Sequence, residues 1–239
     1  MSLRTDTIAL QSFLNERGAR PPLVVDGLPG PNTRRAIFET FRNTSAPAAT
    51  LEQKERVAAT MGGSLAQIVA VSTVEAPRGG WDRSGLLTAL YERHYAWRRV
   101  KIAVPFLSSP KPGGYTVDID DDGINDSWEK VADSALRWGA PVAFECASWG
   151  KFQIMGAWWK QLGYASALDF VWTLSRTEQA HYQALARYVV KFGLVGAFRS
   201  ISGNPDDCKA FAKGYNGSGY AKYNYHTRIA QAFRAAQGL

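Results

Sequence analysis

Cysteine and histidine are scarce: 2 Cys and 3 His occur among 239 residues. Cys146 and Cys208 lie far apart and cannot form a CxxC redox or metal pair. Two free, buried thiols are the expected state in a reducing compartment. His94, His181 and His226 share no spaced cluster, which argues against a zinc centre. No apolar run approaches the ~20 residues that cross a bilayer. The opening segment, MSLRTDTIALQSFLNERG, has no basic stretch followed by a long apolar one. Synthesis in the cytoplasm without a standard export signal is therefore expected. Internal repeats and low-complexity tracts are lacking too. Negative charge is in deficit: 21 Asp plus Glu against 28 Lys plus Arg leave a net +7. That balance suits a polyanionic partner: nucleic acid, an anionic membrane surface or an acidic wall polymer. The basic residues are scattered and no nucleic-acid reading motif occurs, which argues against nucleic acid.

What is present is the composition of a folded chain, with 46% hydrophobic and 21% charged residues and 8 Trp, 10 Tyr and 11 Phe. Residues 1–45 read as a small helical module. Ile8, Leu10, Phe13 and Leu14 recur at helical spacing, Gly18 ends that helix, and Pro31 stands where a first-turn proline is tolerated. Ala36, Ile37, Phe38 and Phe41 supply a second helix. Residues 46–50 read as a linker, and 51–239 as the main domain, able to fold without the module. Thr50–Gln53, Ser64–Gln67, Asp126–Glu129 and Ser175–Glu178 match capping-box spacing, and Asn204–Pro205 is another helix start. Val100 to Val117, rich in Pro and Gly, reads as loop or short strand. The fold expected is mainly all-α.

Glu75 is the first candidate for chemistry. It ends the helix that starts after Ser64 and shares a face with Ile68 and Val71. A carboxyl group on that apolar side is partly desolvated, which raises its pKa and suits it to act as a general acid in glycoside cleavage. The alternative is a helix-end Glu that faces water. Glu92, in YERHYAW, is either a second carboxylate that activates water or an internal partner of Arg93 or Glu75.

The surroundings sharpen the choice. Glu75 leads into APRGGW, followed by ASWGKFQIMG (147–156) and GYNGSGY (214–220). A helix-ending Glu, a Gly-containing turn, a small-Gly-aromatic-Gln segment and a Tyr-Asn-Gly segment resemble the lysozyme superfamily, goose-type lysozymes and lytic transglycosylases included. YERH together with ASWGKFQIMG resembles more specifically the N-acetylmuramidase domain of phage endolysins, over about Thr50 to Leu239. Two positions depart from that pattern: Ala76 stands where the family often has Ser, and Gly80-Trp81 where it has Gly-Phe. The resemblance implies a lysozyme-like helical domain that cleaves the β-1,4 bond between N-acetylmuramic acid and N-acetylglucosamine. It implies Glu75 and Glu92 as the catalytic carboxylates, with Trp81, Ser148, Trp149, Phe152, Gln153, Tyr215 and Asn216 at the sugar. The competing interpretation of Phe152 and Met155 is core packing. LQSFLNERG with VDGLPGPNT resembles the peptidoglycan-binding module found beside wall hydrolases, with Asp26, Gly27, Gly30 and Thr33 as its signature. A helical hairpin that merely packs on the catalytic domain is the alternative.

The implied partner is murein, cut by a monomer with no required cofactor, which reaches the periplasmic wall from the host cytoplasm after membrane permeabilisation. A lytic transglycosylase and a non-catalytic wall-binding phage structural protein are the alternatives. One motif lies outside the resemblance. Asp118, Asp120, Asp122 and Glu129, with Gly123, meet the D-x-D-x-D-G-x5-E pattern of a Ca²⁺ loop. No entering helix precedes it and Asn125 takes an apolar position, so a solvated acidic turn is the competing interpretation.

Overall fold

In the computed structural model the described residues are 2–76, 79–115 and 126–238. In chain order they form α1 (Leu3–Glu16), α2 (Pro31–Phe41), α3 (Leu51–Thr60), α4 (Leu65–Glu75), β1 (Ala89–Tyr91), α5 (Arg93–Val100), α6 (Ser127–Trp138) and α7 (Ala140–Glu145). Then come β2 (Ala147–Trp149), β3 (Ile154–Met155), α8 (Ala167–Arg176), α9 (Glu178–Lys191), α10 (Val195–Arg199), α11 (Pro205–Asn216) and α12 (Tyr225–Ala236). Of the described residues 59% are helical, a mainly-α fold as the periodicity predicts. Among the described residues no single helix is long and apolar enough to cross a membrane.

The chain divides into two compact units that do not follow its order: Met1–Ser45 with Trp81–Ser175, and Ala46–Gly80 with Arg176–Leu239. A break near residue 45 is present. Residues 1–45, however, do not form a compact unit of their own, and neither do 51–239. The reason lies in the aromatic core of the first unit. Phe41, fully buried at the end of α2, packs its ring 5.5 Å from Trp128, 5.2 Å from Phe144 and 6.3 Å from Trp172. A residue so placed is part of the same core as α6, α7 and α8.

Local signals act within this unit as well. The α1 helix ends at Glu16 and Gly18 turns the chain at φ 89°. Gly27 adopts φ 73° with the Arg4 side chain 2.6 Å from where a Cβ would stand, so only glycine fits there. The three strands form one small antiparallel sheet, ordered β1-β2-β3, with Leu90 opposite Ser148 and Ser148 opposite Met155. Trp128 Nε1 donates to Leu87 O at 2.8 Å, which ties α6 to the segment entering the sheet.

The second unit is built on α4. Its residues Ile68, Ala70 and Val71 are fully buried, as befits a helix that is apolar almost all round. The helix packs on α12 and α3. Capping boxes close at both Thr50–Gln53 and Ser64–Gln67. Gln67 also donates to the carbonyls of Arg199 (2.8 Å) and Ile201 (3.0 Å). Ser175 does not cap α9. It lies within α8, Thr177 caps α9 instead, and the Glu178 carboxylate accepts from Ala49 N at 2.8 Å. At α6 the Asp126 side chain makes no capping bond. Cys146 and Cys208 are buried free thiols.

Of the acidic loop, Asp118, Asp120 and Asp122 lie outside the described residues. Glu129 stands half-buried in the first turn of α6. Among the described residues no group of three or more His, Cys, Asp or Glu is placed to hold a metal ion.

Candidate active site

In the second unit, α4 delivers Glu75 as its last residue. The helix end faces α11 and α12, whose side chains decide the state of the carboxyl group. Asn216, the last residue of α11, donates from Nδ2 to Glu75 Oε1 at 2.8 Å. Arg228 of α12 reaches Val74 O at 3.4 Å, and its charge also acts on the carboxylate. Three influences therefore compete at one group. Burial disfavours the charged form, while the Asn216 bond and Arg228 favour it. Desolvation is the largest, and the pKa of Glu75 is raised. The result is a carboxyl group with one oxygen fixed by a donor and its proton retained to higher pH than in water.

Tyr215 sits beside it. Its ring stacks on Phe211 at 5.6 Å and meets Tyr188 edge-on at 5.6 Å. Burial first, and the Glu75 charge second, push its hydroxyl well above the usual tyrosine range. The proximity of Tyr215 to Glu75 places the Tyr-Asn-Gly segment at this carboxyl group. After Ala76, Gly80 returns beneath the imidazole of His181, 2.5 Å from where a Cβ would stand. Any larger residue there would have to displace the His181 ring or the Gly80 backbone.

In the first unit, Glu92 follows β1 and begins α5. Its amide donates to Cys146 O at 2.8 Å. Tyr115 Oη donates to Glu92 Oε2 at 2.9 Å, and His94 Nδ1 lies 3.1 Å from the same oxygen. One oxygen of Glu92 is thus bound by Tyr115, with the His94 imidazole close by and no salt bridge to Arg93. Arg93 instead donates to the carbonyls of Lys111 and Pro112.

The β2–β3 hairpin carries the remaining expected sugar contacts, and it divides them. Trp149 is 1% exposed; its ring stacks on Phe144 at 5.6 Å and its Nε1 donates to Phe144 O. Phe152 is buried as well. Both rings are core, with no face open to a pyranose; that of Trp149 is turned toward Phe144 and Trp128. Gln153, at φ 48°, accepts from Ser148 Oγ at 2.9 Å and donates to Gly150 O at 2.8 Å and Thr88 O at 3.2 Å. Its amide is committed to the hairpin and to the strand entry. Ser148 is likewise buried and bound to Gln153. Trp81 is half-buried and bridges to Leu87.

Glu145, which carried no expected role, is structural: it accepts from Arg99 Nη2 at 2.9 Å and Trp159 Nε1 at 2.8 Å. Arg228 and Tyr115 are the neighbours of the two carboxylates that sequence reasoning misses. No spacing signal links either to its partner.

In the module segment, Gln11 of α1 is the hub. Its Nε2 donates to Asp26 Oδ1 at 3.0 Å and lies 3.4 Å from Thr33 Oγ1, and its Oε1 accepts from Gly27 N at 2.9 Å. Gly30 is the residue that precedes α2. Asp26, Gly27 and Thr33 are therefore brought together around one buried amide.

The sequence profile of the N-acetylmuramidase family matches residues 64–237. The crystal structure of Burkholderia AP3 phage endolysin is similar to this chain, with a TM-score of 0.71 and 28% sequence identity. That alignment covers 98% of this chain and 95% of the endolysin. None of the curated protein sequences matches.

Proposed function

The chain belongs to the N-acetylmuramidase family, a family of peptidoglycan-cleaving glycoside hydrolases, and on that premise we propose that Glu75 is its general acid and host lysis its task. The observation that carries this reading is the desolvated Glu75 carboxyl, its pKa raised and one oxygen bound by Asn216. A carboxyl group that keeps its proton to higher pH than in water can give it to the glycosidic oxygen as the bond to the anomeric carbon breaks. The ring oxygen shares the positive charge that develops, and water then adds to the anomeric carbon and loses a proton. Asn216 holds Oε1, so the proton is presented from Oε2. After donation the same bond stabilises the carboxylate.

Glu92 is the proposed second carboxylate. The Tyr115 bond at Oε2 supports that reading, because it orients the group and leaves Oε1 to take a proton from water. Trp81, Tyr215 and Asn216 are the proposed contacts to sugar. The scissile bond is the β-1,4 linkage between N-acetylmuramic acid and N-acetylglucosamine.

Residues 1–45 are proposed to bind murein through the Asp26–Thr33 turn while packing within the first unit. Likeness to a phage endolysin supports action on the cell wall; the proposal is completed by a monomer made in the host cytoplasm that meets the wall once the membrane is permeabilised.

The test is the mass of the sugar ends released from purified murein. Hydrolysis yields reducing N-acetylmuramic acid ends that carry the added water. Ends lighter by one water would be 1,6-anhydro sugars and would make the enzyme a transglycosylase.

A further inference from the structure

The loop between α1 and α2 borders a cleft of about 240 Å³. It is held rigidly from below. Besides the Gln11 hub, Asn15 of α1 accepts from Leu23 N at 2.7 Å and donates to Leu23 O at 2.9 Å. A loop pinned at two points by side-chain amides is preorganised, which lowers the ordering cost of binding.

Its outer surface is apolar nonetheless. Val24 is 76% and Leu28 66% exposed, and Pro21, Pro22 and Pro31 complete the walls. A rigid apolar patch with a polar rim marks an interaction site. The rim carries both signs of charge. Asp26 uses Oδ1 for Gln11 and Leu28 N, which leaves Oδ2 as an acceptor. These bonds, the Leu28 amide first, hold its pKa below the ordinary value and keep it ionised. Arg35, which also lines the cleft, has Nη1 engaged by Glu39 and Arg20 O, with Nε and Nη2 remaining as donors.

Two features identify the occupant. No aromatic ring is found among the described residues that line the cleft, so the flat face on which a pyranose stacks is missing. The paired acidic and guanidinium groups instead match a ligand that bears an ammonium and a carboxylate a few bonds apart. In murein those groups belong to the diamino acid of the stem peptide, not to the glycan. The cleft is smaller than the ~300–1,000 Å³ of a drug-sized site and suits a short segment. We propose that this cleft binds the stem peptide of murein, so that the module reads the peptide while the catalytic carboxylates act on the sugar. The inference rests on residues 1–45 serving as a wall-binding module.

The experiment titrates the full chain carrying Glu75→Gln, which spares the polymer, by calorimetry. The probes are sugar-free stem tetrapeptide containing the diamino acid, and N-acetylglucosamine tetrasaccharide. The peptide should bind saturably. Val24→Asp and Leu28→Asp, both at exposed tips, should each weaken it about tenfold or more, a loss of about 1.4 kcal/mol, with melting temperature unchanged. Peptide affinity unaltered by both substitutions would overturn the proposal, as would a tetrasaccharide affinity that these substitutions abolish. Pelleting with intact sacculi separates the two levels. Retention on sacculi without peptide binding overturns this inference alone. Loss of retention overturns the wall-binding reading with it.

Discussion

Replacing Gln153 by Ala tests whether this residue holds the hairpin or holds the sugar. The side-chain amide makes three bonds, with Ser148 Oγ, Gly150 O and Thr88 O, at 2.9, 2.8 and 3.2 Å. Each is worth about 1 kcal/mol net, and leaving a buried partner unsatisfied costs about 1–3 kcal/mol. Ser148 is buried and has little access to replacement water. Gln153→Ala should therefore destabilise the fold by about 3 kcal/mol, a large part of the ~5–15 kcal/mol that holds a typical domain. The backbone offers an internal control. At φ 48° an L-residue carries about 1 kcal/mol of strain that glycine does not. Gln153→Gly loses the same three bonds but sheds that strain, so it should be the more stable variant by about 1 kcal/mol. Urea unfolding followed by circular dichroism measures both, with the slope m showing whether the transition stays comparable. A Gln153→Ala protein within about 0.5 kcal/mol of wild type that fails to bind murein fragments would refute the reasoning and return Gln153 to the sugar.

Three further outcomes follow from the same structure. Asn216→Ala removes the donor that favours the ionised form of Glu75, so the basic limb of the pH–rate profile should move to higher pH while the maximal rate falls by about tenfold; a limb that stays in place or moves down contradicts the assigned contact. Deleting residues 1–45 strips Phe41 from its place against Trp128, Phe144 and Trp172, so the truncated chain should lose the near-ultraviolet signal of the first unit and bind a dye for exposed apolar surface. A truncated protein with native near-ultraviolet dichroism would restore the linear two-domain division. Gln67→Ala releases both the capping box and the bonds to Arg199 O and Ile201 O, and should cost about 2–4 kcal/mol in thermal or urea unfolding.

What could be read in the sequence is what depends on near neighbours. The caps at Thr50 and Ser64 need only a residue three positions on, and α4 carries Glu75 on the face of Ile68 and Val71 because a helix repeats every 3.6 residues. Ser175–Glu178 has the same spacing and fails, since α8 runs through Ser175 and Glu178 finds the amide of Ala49. The Asn216–Glu75 bond joins residues 141 positions apart. Only the resemblance placed Tyr215 and Asn216 near the acid, and nothing in the local pattern points to Arg228. The burial of Trp149 was equally hidden, whereas core packing was already the competing interpretation of Phe152. Whether an aromatic in a short turn faces solvent or core is decided by what packs there, here Phe144 and Trp128. The compact units mix distant segments because α2 completes an aromatic core assembled mainly from residues after Trp81.

The central claim is that a protonated Glu75 drives glycosidic cleavage, and Glu75→Gln measured across pH on purified murein tests it most directly. The amide keeps the shape and can still bond Asn216, but it has no acidic proton to give. Activity should fall by about 10²-fold or more, the scale of general acid catalysis. In the wild type, activity should fade as pH rises through the raised pKa of Glu75. Stability obeys the same sign. The folded state holds this proton more tightly than the unfolded chain, so wild-type stability declines as pH rises from the ordinary glutamate range through the folded pKa. The amide that replaces the carboxyl group does not titrate, so Glu75→Gln should unfold later than wild type above that pH and lose this advantage below it. A folded Glu75→Gln protein that cleaves murein at the wild-type rate would contradict the account.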